Sequence, residues 1–420
     1  MKDCKVDLIQ QMCEKLRDVI DYMAQKYPER VYLYEPAFKY FQLANEGIMQ
    51  GKPLLWYYFC LPPELFRAVE VTAVSPEYLA GGLAAMGDRN RKYVEIANEK
   101  LADHICTINK SPVGLALSGD TLAPDMMVYT VVNPCDASLS CYSNIGHYLD
   151  IPSFQLDTPY LSDERAHKYM AKQISDMFSF IEGQTGQKLD LDRLREVIGY
   201  SNQSLDYLLK LNELSKNTPS PISSRALYVS SGATMALSGL PFFVDWSRKR
   251  YEVAKEKVER GQGAVQAEKI RLVFIANGFD VDLNIFDWLE QKYGAVMVAS
   301  LLNMYPPDPI DNTGDISKIF EGLARRTMAY PMARHGRGSA DYYIDECIRV
   351  ARDYRADAVV FSCNTGCKYN WATAQLVRNA IYDKLGIPTL VFEIDPWDPG
   401  IAASESIKSK FEQFLDIAFQ

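Results

Sequence analysis

Histidine is scarce, with four in 420 residues. Chemistry built on imidazole, whether acid–base or metal-binding, is therefore sparsely supplied. Positive charge is not in excess either. Lys and Arg number 45 against 54 Asp and Glu, a formal charge of −9. Phosphate recognition needs a basic surface, so nucleic acid is not expected as a partner. No run of about 20 apolar residues occurs, and no membrane span is predicted. The opening residues, Met1-Lys2-Asp3-Cys4-Lys5-Val6-Asp7, lack the apolar core of a signal peptide, so a cytoplasmic location is expected. There is no Walker phosphate loop and no CxxC pair. Those absences remove the usual local signatures of nucleotide hydrolysis and of a zinc site.

What is present is an ordinary soluble composition, 48% hydrophobic and 24% charged. A chain of this length is expected to divide into two or three domains. Nine cysteines stand out. Their odd number, the size of the chain and the missing export signal argue against a disulfide framework. Buried thiols are the plain reading; reactive thiols and metal or iron–sulfur ligands are the alternatives.

The chain is organised around Val359-Val360-Phe361-Ser362-Cys363-Asn364-Thr365-Gly366-Cys367-Lys368. An apolar strand ends in a glycine-containing turn with two cysteines. A helix is predicted from about 371 to 385, followed by Gly386-Ile387-Pro388 and a second apolar strand closing on Asp395. This is a βαβ unit, and open α/β sheets place ligands at the carboxyl ends of such strands. The same plan occurs earlier. Strand 126–132 stops at Asn133-Pro134-Cys135-Asp136, a helix follows over about 139–149, and Ile151-Pro152 leads into a strand ending at Asp157.

The fold class expected is α/β, with two flavodoxin- or Rossmann-like parallel-sheet lobes around a cleft and helical N-terminal and connecting segments. The boundaries expected are a helical segment 1–50, a first lobe 51–161, a helical connection 162–266 and a second lobe 267–420. Segment 1–50 reads as a packing arm, because Leu8, Met12, Leu16, Ile20 and Met23 recur at helical spacing. Ser230-Ser231-Gly232-Ala233-Thr234 reads as a plain loop, since it lacks a phosphate-binding signature.

Three cysteines are singled out, Cys106 after a predicted helix (93–106) and Cys135 and Cys367 after strands. They lie 29 and 232 residues apart, so any shared site must be assembled by the fold. Three thiolates converging in a cleft would suit an iron–sulfur cluster with one iron open. Cys363, four residues before Cys367, and Cys141, within a helical pattern, compete with them; Cys60 is weaker, and Cys4, Cys13 and Cys347 read as structural or exposed. Glu64, in Pro62-Pro63-Glu64-Leu65, opens a predicted helix. Its plain role is compensation of the helix dipole; its functional role would be substrate contact or proton transfer. His335, in Ala333-Arg334-His335-Gly336-Arg337-Gly338, reads as an exposed histidine on a flexible basic loop that could hold an anion.

Four blocks together resemble the 2-hydroxyacyl-CoA dehydratase and class I benzoyl-CoA reductase family. They are Leu61-Pro62-Pro63-Glu64-Leu65-Phe66-Arg67-Ala68-Val69-Glu70-Val71; Cys106 with Lys110-Ser111; Asn133-Pro134-Cys135-Asp136 through Ile151-Pro152 to Thr158-Pro159-Tyr160; and Gly366-Cys367-Lys368 through Ile387-Pro388 to Asp395, with a closing helix around Phe411. The resemblance is to alpha-type subunits. It implies a [4Fe-4S] cluster on Cys106, Cys135 and Cys367 with the fourth iron open, a heterodimer with a related second subunit, and a separate ATP-hydrolysing iron–sulfur activator. It implies an anaerobic radical lyase, in which one electron enters an acyl-CoA thioester and the ketyl-type radical loses the 2-hydroxyl group, giving an enoyl-CoA. In the reductases the electron enters an aromatic ring. The departures are Cys141 where relatives often have Trp, the additional Cys363, and Ser404-Glu405-Ser406-Ile407-Lys408 at the start of the last helix. Ala123-Pro124-Asp125 lacks the extra cysteine of a branch that binds a double-cubane cluster, which argues against the larger cluster. The alternatives are a dearomatising aryl-CoA reductase, a non-catalytic electron-transfer or scaffolding subunit, and a metal-free binding protein with buried cysteines.

Overall fold

A computed structural model describes residues 7–87, 89–131, 133–276, 278–337, 339–398, 400–401 and 403–419. Cys4, Val132, Asn277 and Gly338 lie outside the described residues. Helices α1 (Leu8–Lys26) and α2 (Glu35–Met49) open the fold, joined by the 3-10 turn Pro28–Leu33. Asp7 starts α1 by accepting the Ile9 N–H at 2.7 Å, and Leu8, Met12, Leu16 and Met23 form its buried face.

The first sheet is built from β1 (Leu54–Tyr57), β2 (Thr72–Val74), β3 (Met126–Val131) and β4 (Ser153–Asp157), with α3 (Pro76–Ala85), α4 (Arg91–Asn98), α5 (Thr107–Ser118) and α6 (Asp136–Leu149) between strands. It is parallel, in the order β2-β1-β3-β4. Helices α7 (Glu164–Thr185), α8 (Leu191–Leu214), α9 (Ser224–Leu237) and α10 (Pro241–Glu259) follow. The second sheet holds β5 (Ile270–Ala276), β6 (Ala295–Ser300), β7 (Ala358–Asn364) and β8 (Thr389–Ile394). Its helices are α11 (Asn284–Tyr293), α12 (Ile316–Ala329), α13 (Pro331–His335), α14 (Ala340–Asp353), α15 (Lys368–Leu385) and α16 (Ser404–Ala418). This sheet is also parallel, in the order β6-β5-β7-β8. The expected class is therefore observed.

Central strands are buried along nearly their whole length because helices cover both faces. Leu54 and Trp56 of β1 join one core, Leu55 and Tyr57 the other. In β5, Leu272 and Phe274 divide from Val273 and Ile275 in the same way. Each such side chain, fully buried, contributes roughly 1.5–3 kcal/mol. Among the described residues no helix is long and apolar enough to cross a membrane.

Several expectations are corrected. Residues 230–234 are not a loop but the middle of α9; the hydroxyls of Ser230 and Thr234 donate to the Ala226 and Ser230 carbonyls at 2.8 and 2.7 Å, so the small polar residues are satisfied within the helix. Cys363 lies not in the turn but in β7, paired with Glu393. The helix expected to run to Cys106 stops at Asn98, and Cys106 starts the next one. Helices α6 and α15 each begin three residues earlier than expected, immediately after Cys135 and Cys367. Pro63–Phe66 is a 3-10 turn and not an α-helix.

Candidate functional site: three helix-capping thiols between two lobes

Cys106, Cys135 and Cys367 share one structural position. Each is the N-cap of a helix, of α5, α6 and α15 respectively. Their backbones are non-helical, so each side chain lies beside first-turn N–H groups that have no partner within the helix. The Asn370 N–H donates to Cys367 Sγ at 3.5 Å. Side-chain amides add to this: Asn109 Nδ2 donates to Cys135 Sγ at 3.5 Å, and Asn364 Nδ2 donates to Cys106 Sγ at 3.3 Å. Helix N-termini favour negative charge, and with it the thiolate. Burial acts against this and pushes all three thiols above their ordinary value. Mutual repulsion raises Cys106, through Cys135 and Cys367, and Cys135, through Cys367. The three sulfurs are thus electrostatic neighbours.

The lobes are drawn together at these loops. Gly366 has φ +78°, and a β-carbon there would lie 2.4 Å from the His104 carbonyl oxygen and 2.6 Å from the Cys106 nitrogen. Only glycine lets the Cys367 turn rest on the backbone of residues 104–106. Thr107 Oγ1 donates to Asp395 Oδ1 at 2.5 Å, joining α5 to the end of β8. Lys368 and Asp136 pair across the lobes at 2.8 Å; both are exposed, so solvent screens the pair.

Polar atoms without partners collect here. Asn133, immediately before the Cys135 loop and 6% exposed, has neither amide atom hydrogen-bonded. The Oδ1 atoms of Asn109 and Asn364 and Oδ2 of Asp395 also lack partners. Buried polar groups are normally satisfied, so such a concentration marks room for a bound group or water. Among the described residues, no three His, Cys, Asp or Glu side chains form a site for a single metal ion.

The competing cysteines Cys363, Cys141 and Cys60 cap no helix, although, after burial, Cys363 is raised by neighbouring Cys367, and Cys141 and Cys60 by Cys135. Cys363 and Cys141 are fully buried, with burial pushing each thiol up to about 12. The Cys60 thiol contacts Met332 Sδ at 3.5 Å, and Cys13 and Cys347 are core residues. Glu64 is 1% exposed. It accepts from Ser201 Oγ and pairs with Arg326 at 3.7 Å, while its Oε2 has no partner. His335 is not exposed on a loop: it ends α13, is 6% exposed and contacts Glu346 Oε2 at 3.1 Å. The basic sequence around it concealed this, because the neutralising acid lies eleven residues away on α14.

Two features escaped the sequence. One is Glu77, buried at the start of α3. Burial pushes its carboxyl up to about 7, against hydrogen bonds from Ser75 Oγ at 2.7 Å and Tyr142 OH at 2.8 Å. The other is a cavity of about 500 Å³ between α1–α3, α9 and the second lobe. Ile108, two residues past Cys106, lies in its wall, as do Phe59 and Met332. Its lining comes from distant segments, and no single stretch announces it.

Two parallel-sheet lobes with three thiols at helix starts, two of them directly after strands, define the class of protein, and comparison with known proteins gives the family. Residues 58–417 match the family model described as 2-hydroxyglutaryl-CoA dehydratase, D-component, and the chain belongs to that family. Its relatives include the (R)-phenyllactyl-CoA dehydratase alpha subunit of Clostridium sporogenes, 26% identical over 88% of this chain and 90% of the relative. The (R)-2-hydroxyisocaproyl-CoA dehydratase alpha subunit of Clostridioides difficile is 23% identical over 94% of this chain and 97% of the relative. A benzoyl-CoA reductase subunit of Thauera aromatica is 22% identical over 76% of this chain and 78% of its own length.

Proposed function

We propose that this chain is the iron–sulfur subunit of a 2-hydroxyacyl-CoA dehydratase, and that Cys106, Cys135 and Cys367 hold a [4Fe-4S] cluster with one iron free of protein ligands. The observation that carries this is the convergence of three helix-capping thiols from two lobes, surrounded by amide donors and partnerless polar atoms. An all-sulfur donor set with N–H groups directed at sulfur fits such a cluster, and hydrogen bonds to sulfur tune its potential. When bound, the cluster would supply one electron to an acyl-CoA thioester, whose ketyl-type radical loses the 2-hydroxyl group and makes the β-proton removable. The chain's own residues hold the thiols, shield them from water and bring the lobes together through Gly366 and Thr107–Asp395. Glu64 enters this reading as a proton acceptor only through its partnerless Oε2, and Glu64→Gln tests that role. The proposed partners are a related second subunit and a separate ATP-hydrolysing activator, in keeping with relatives that are themselves named as subunits.

Aryl-CoA reduction is the second reading, favoured by the benzoyl-CoA reductase relative. Incubation of the activated complex with each thioester class separates the two. Purification without oxygen, together with the partner subunit, tests both. The expected product is brown, with about four irons bound to this chain. A folded, colourless, iron-free protein would overturn the cluster. A cluster-bearing complex in which this chain binds no acyl-CoA would point to electron transfer or scaffolding instead.

A further inference from the structure

We propose that the cavity of about 500 Å³ receives an aromatic side chain on the acyl group of the thioester, so that the substrate is an arylalkanoyl-CoA. This rests on the acyl-CoA reading of the site above. The size is that of a small-molecule pocket.

The walls carry the argument. Tyr40, Phe41, Tyr78, Tyr228, Phe59 and Trp397 supply rings, and Met12, Met86, Met235 and Met332 supply thioethers. Rings and methionine sulfur both favour an aromatic guest over a short aliphatic one. The polar ends of these rings are already engaged. Tyr228 OH and Trp397 Nε1 donate to Asp280 at 2.7 and 2.9 Å, the Tyr40 hydroxyl accepts the Ser75 N–H at 2.7 Å, and Tyr78 OH donates to the Gly232 carbonyl. Those polar ends are thus taken up, and Glu77, Arg225, Asp280 and Asp282 supply the charged part of the wall.

Helix α3 lets Trp397 and Met12 of the wall pack close against it. Glycine is unfavourable inside helices, yet α3 has Gly81 and Gly82 side by side, both on the cavity wall. A β-carbon would stand 3.1 Å from Trp397 Cζ2 at Gly81 and 2.9 Å from Met12 Cε at Gly82. The cavity also adjoins the thiols. Asp395 Oδ1 accepts both Thr107 Oγ1, beside Cys106, and the N–H of the wall residue Trp397, at 2.5 and 2.9 Å.

The test is binding, measured without oxygen on the intact complex by tryptophan fluorescence and calorimetry. The probes are 3-phenylpropanoyl-CoA and propanoyl-CoA, which lack the 2-hydroxyl and do not dehydrate. The 3-phenylpropanoyl thioester should bind about tenfold tighter or better. Gly82→Leu should lower 3-phenylpropanoyl-CoA affinity more than propanoyl-CoA affinity and so erase that preference. Val229→Phe, in the wall formed by α9, gives the same readout should Gly82→Leu fail to fold. Equal affinity for the two esters, or a preference that survives whichever filling variant folds, would overturn the proposal. A phenyl preference in a complex that holds no iron would leave the pocket standing and remove only the dehydratase reading.

Discussion

The two lobes repeat one plan down to individual hydrogen bonds. Asp125 precedes β3, and its carboxylate accepts the Leu54 N–H at 2.7 Å; Asp357 precedes β7, and its carboxylate accepts the Arg271 N–H at 2.8 Å. The Met127 N–H donates to the Pro152 carbonyl at 3.0 Å, and the Val359 N–H to that of Pro388 at 3.0 Å. Each third strand runs into a cysteine that caps the next helix. The lobes differ one helix earlier. The helix before β3 is capped by Cys106, whereas the helix before β7 is capped by Ser339. A lobe of this kind thus presents a thiol or a hydroxyl at one place by its choice of cap residue, with no change of fold. Three thiols and one serine would leave a cluster one site short of full protein ligation, which is where a substrate could enter.

The largest test breaks that set. Cys106→Ser, Cys135→Ser or Cys367→Ser should each remove most of the roughly four irons. Cys141→Ser, within α6, should keep them, with iron content and absorbance as the readouts. Next in size is Gly366→Ala. A left-handed non-glycine residue costs about 1–2 kcal/mol, and the new β-carbon would overlap the backbone of residues 104–106. The expected loss is more than about 3 kcal/mol, by denaturant titration, together with iron loss. An alanine variant with wild-type stability and iron would mean that the lobes do not meet through this turn.

The strands were legible because sheets covered on both faces need unbroken apolar runs, as in Val359-Val360-Phe361. The repeated Ile-Pro strand starts were legible for the same reason. The helix starts at the cysteines were not, since cysteine is a poor N-cap signal and Pro112 inside α5 suggests a break. The thiol trio came from resemblance and not from spacing. The cavity and the burial of His335 depend on partners contributed by distant helices, which periodicity does not record.

Two buried acids, Glu77 in the first lobe and Glu346 in the second, are held in opposite ways, with opposite pH signs. Glu77 in the first lobe has only neutral donors, and burial pushes it up to about 7. In the second lobe burial would raise Glu346 too, but His335 and Arg334 outweigh it and pull the carboxyl down to about 2. His335 and Arg334 both act on this carboxyl, His335 first, while burial lowers the pKa of His335 itself. The Glu77 contribution is complete below the unfolded value of about 4.5 and is lost as pH rises through about 7. The Glu346 contribution is complete above about 4.5 and is lost as pH falls towards about 2. Each is on the order of 3 kcal/mol. Glu77→Gln should therefore flatten the alkaline side of a stability–pH curve, and Glu346→Gln the acid side. The same limb flattening in both variants would break the contrast.

The smallest effect bears most directly on the cap comparison. Ser339 occupies the position that Cys106 holds in the other lobe, but its hydroxyl makes no capping hydrogen bond and the residue is exposed. A serine that capped its helix would lose about 1 kcal/mol on replacement by alanine. Without that bond, Ser339→Ala should change stability by less than about 0.5 kcal/mol. It should leave iron content unchanged, while Cys106→Ser removes it. Loss of iron in Ser339→Ala would mean that the second lobe supplies a fourth ligand after all. The asymmetry between the lobes, and with it the open iron, would then fail together.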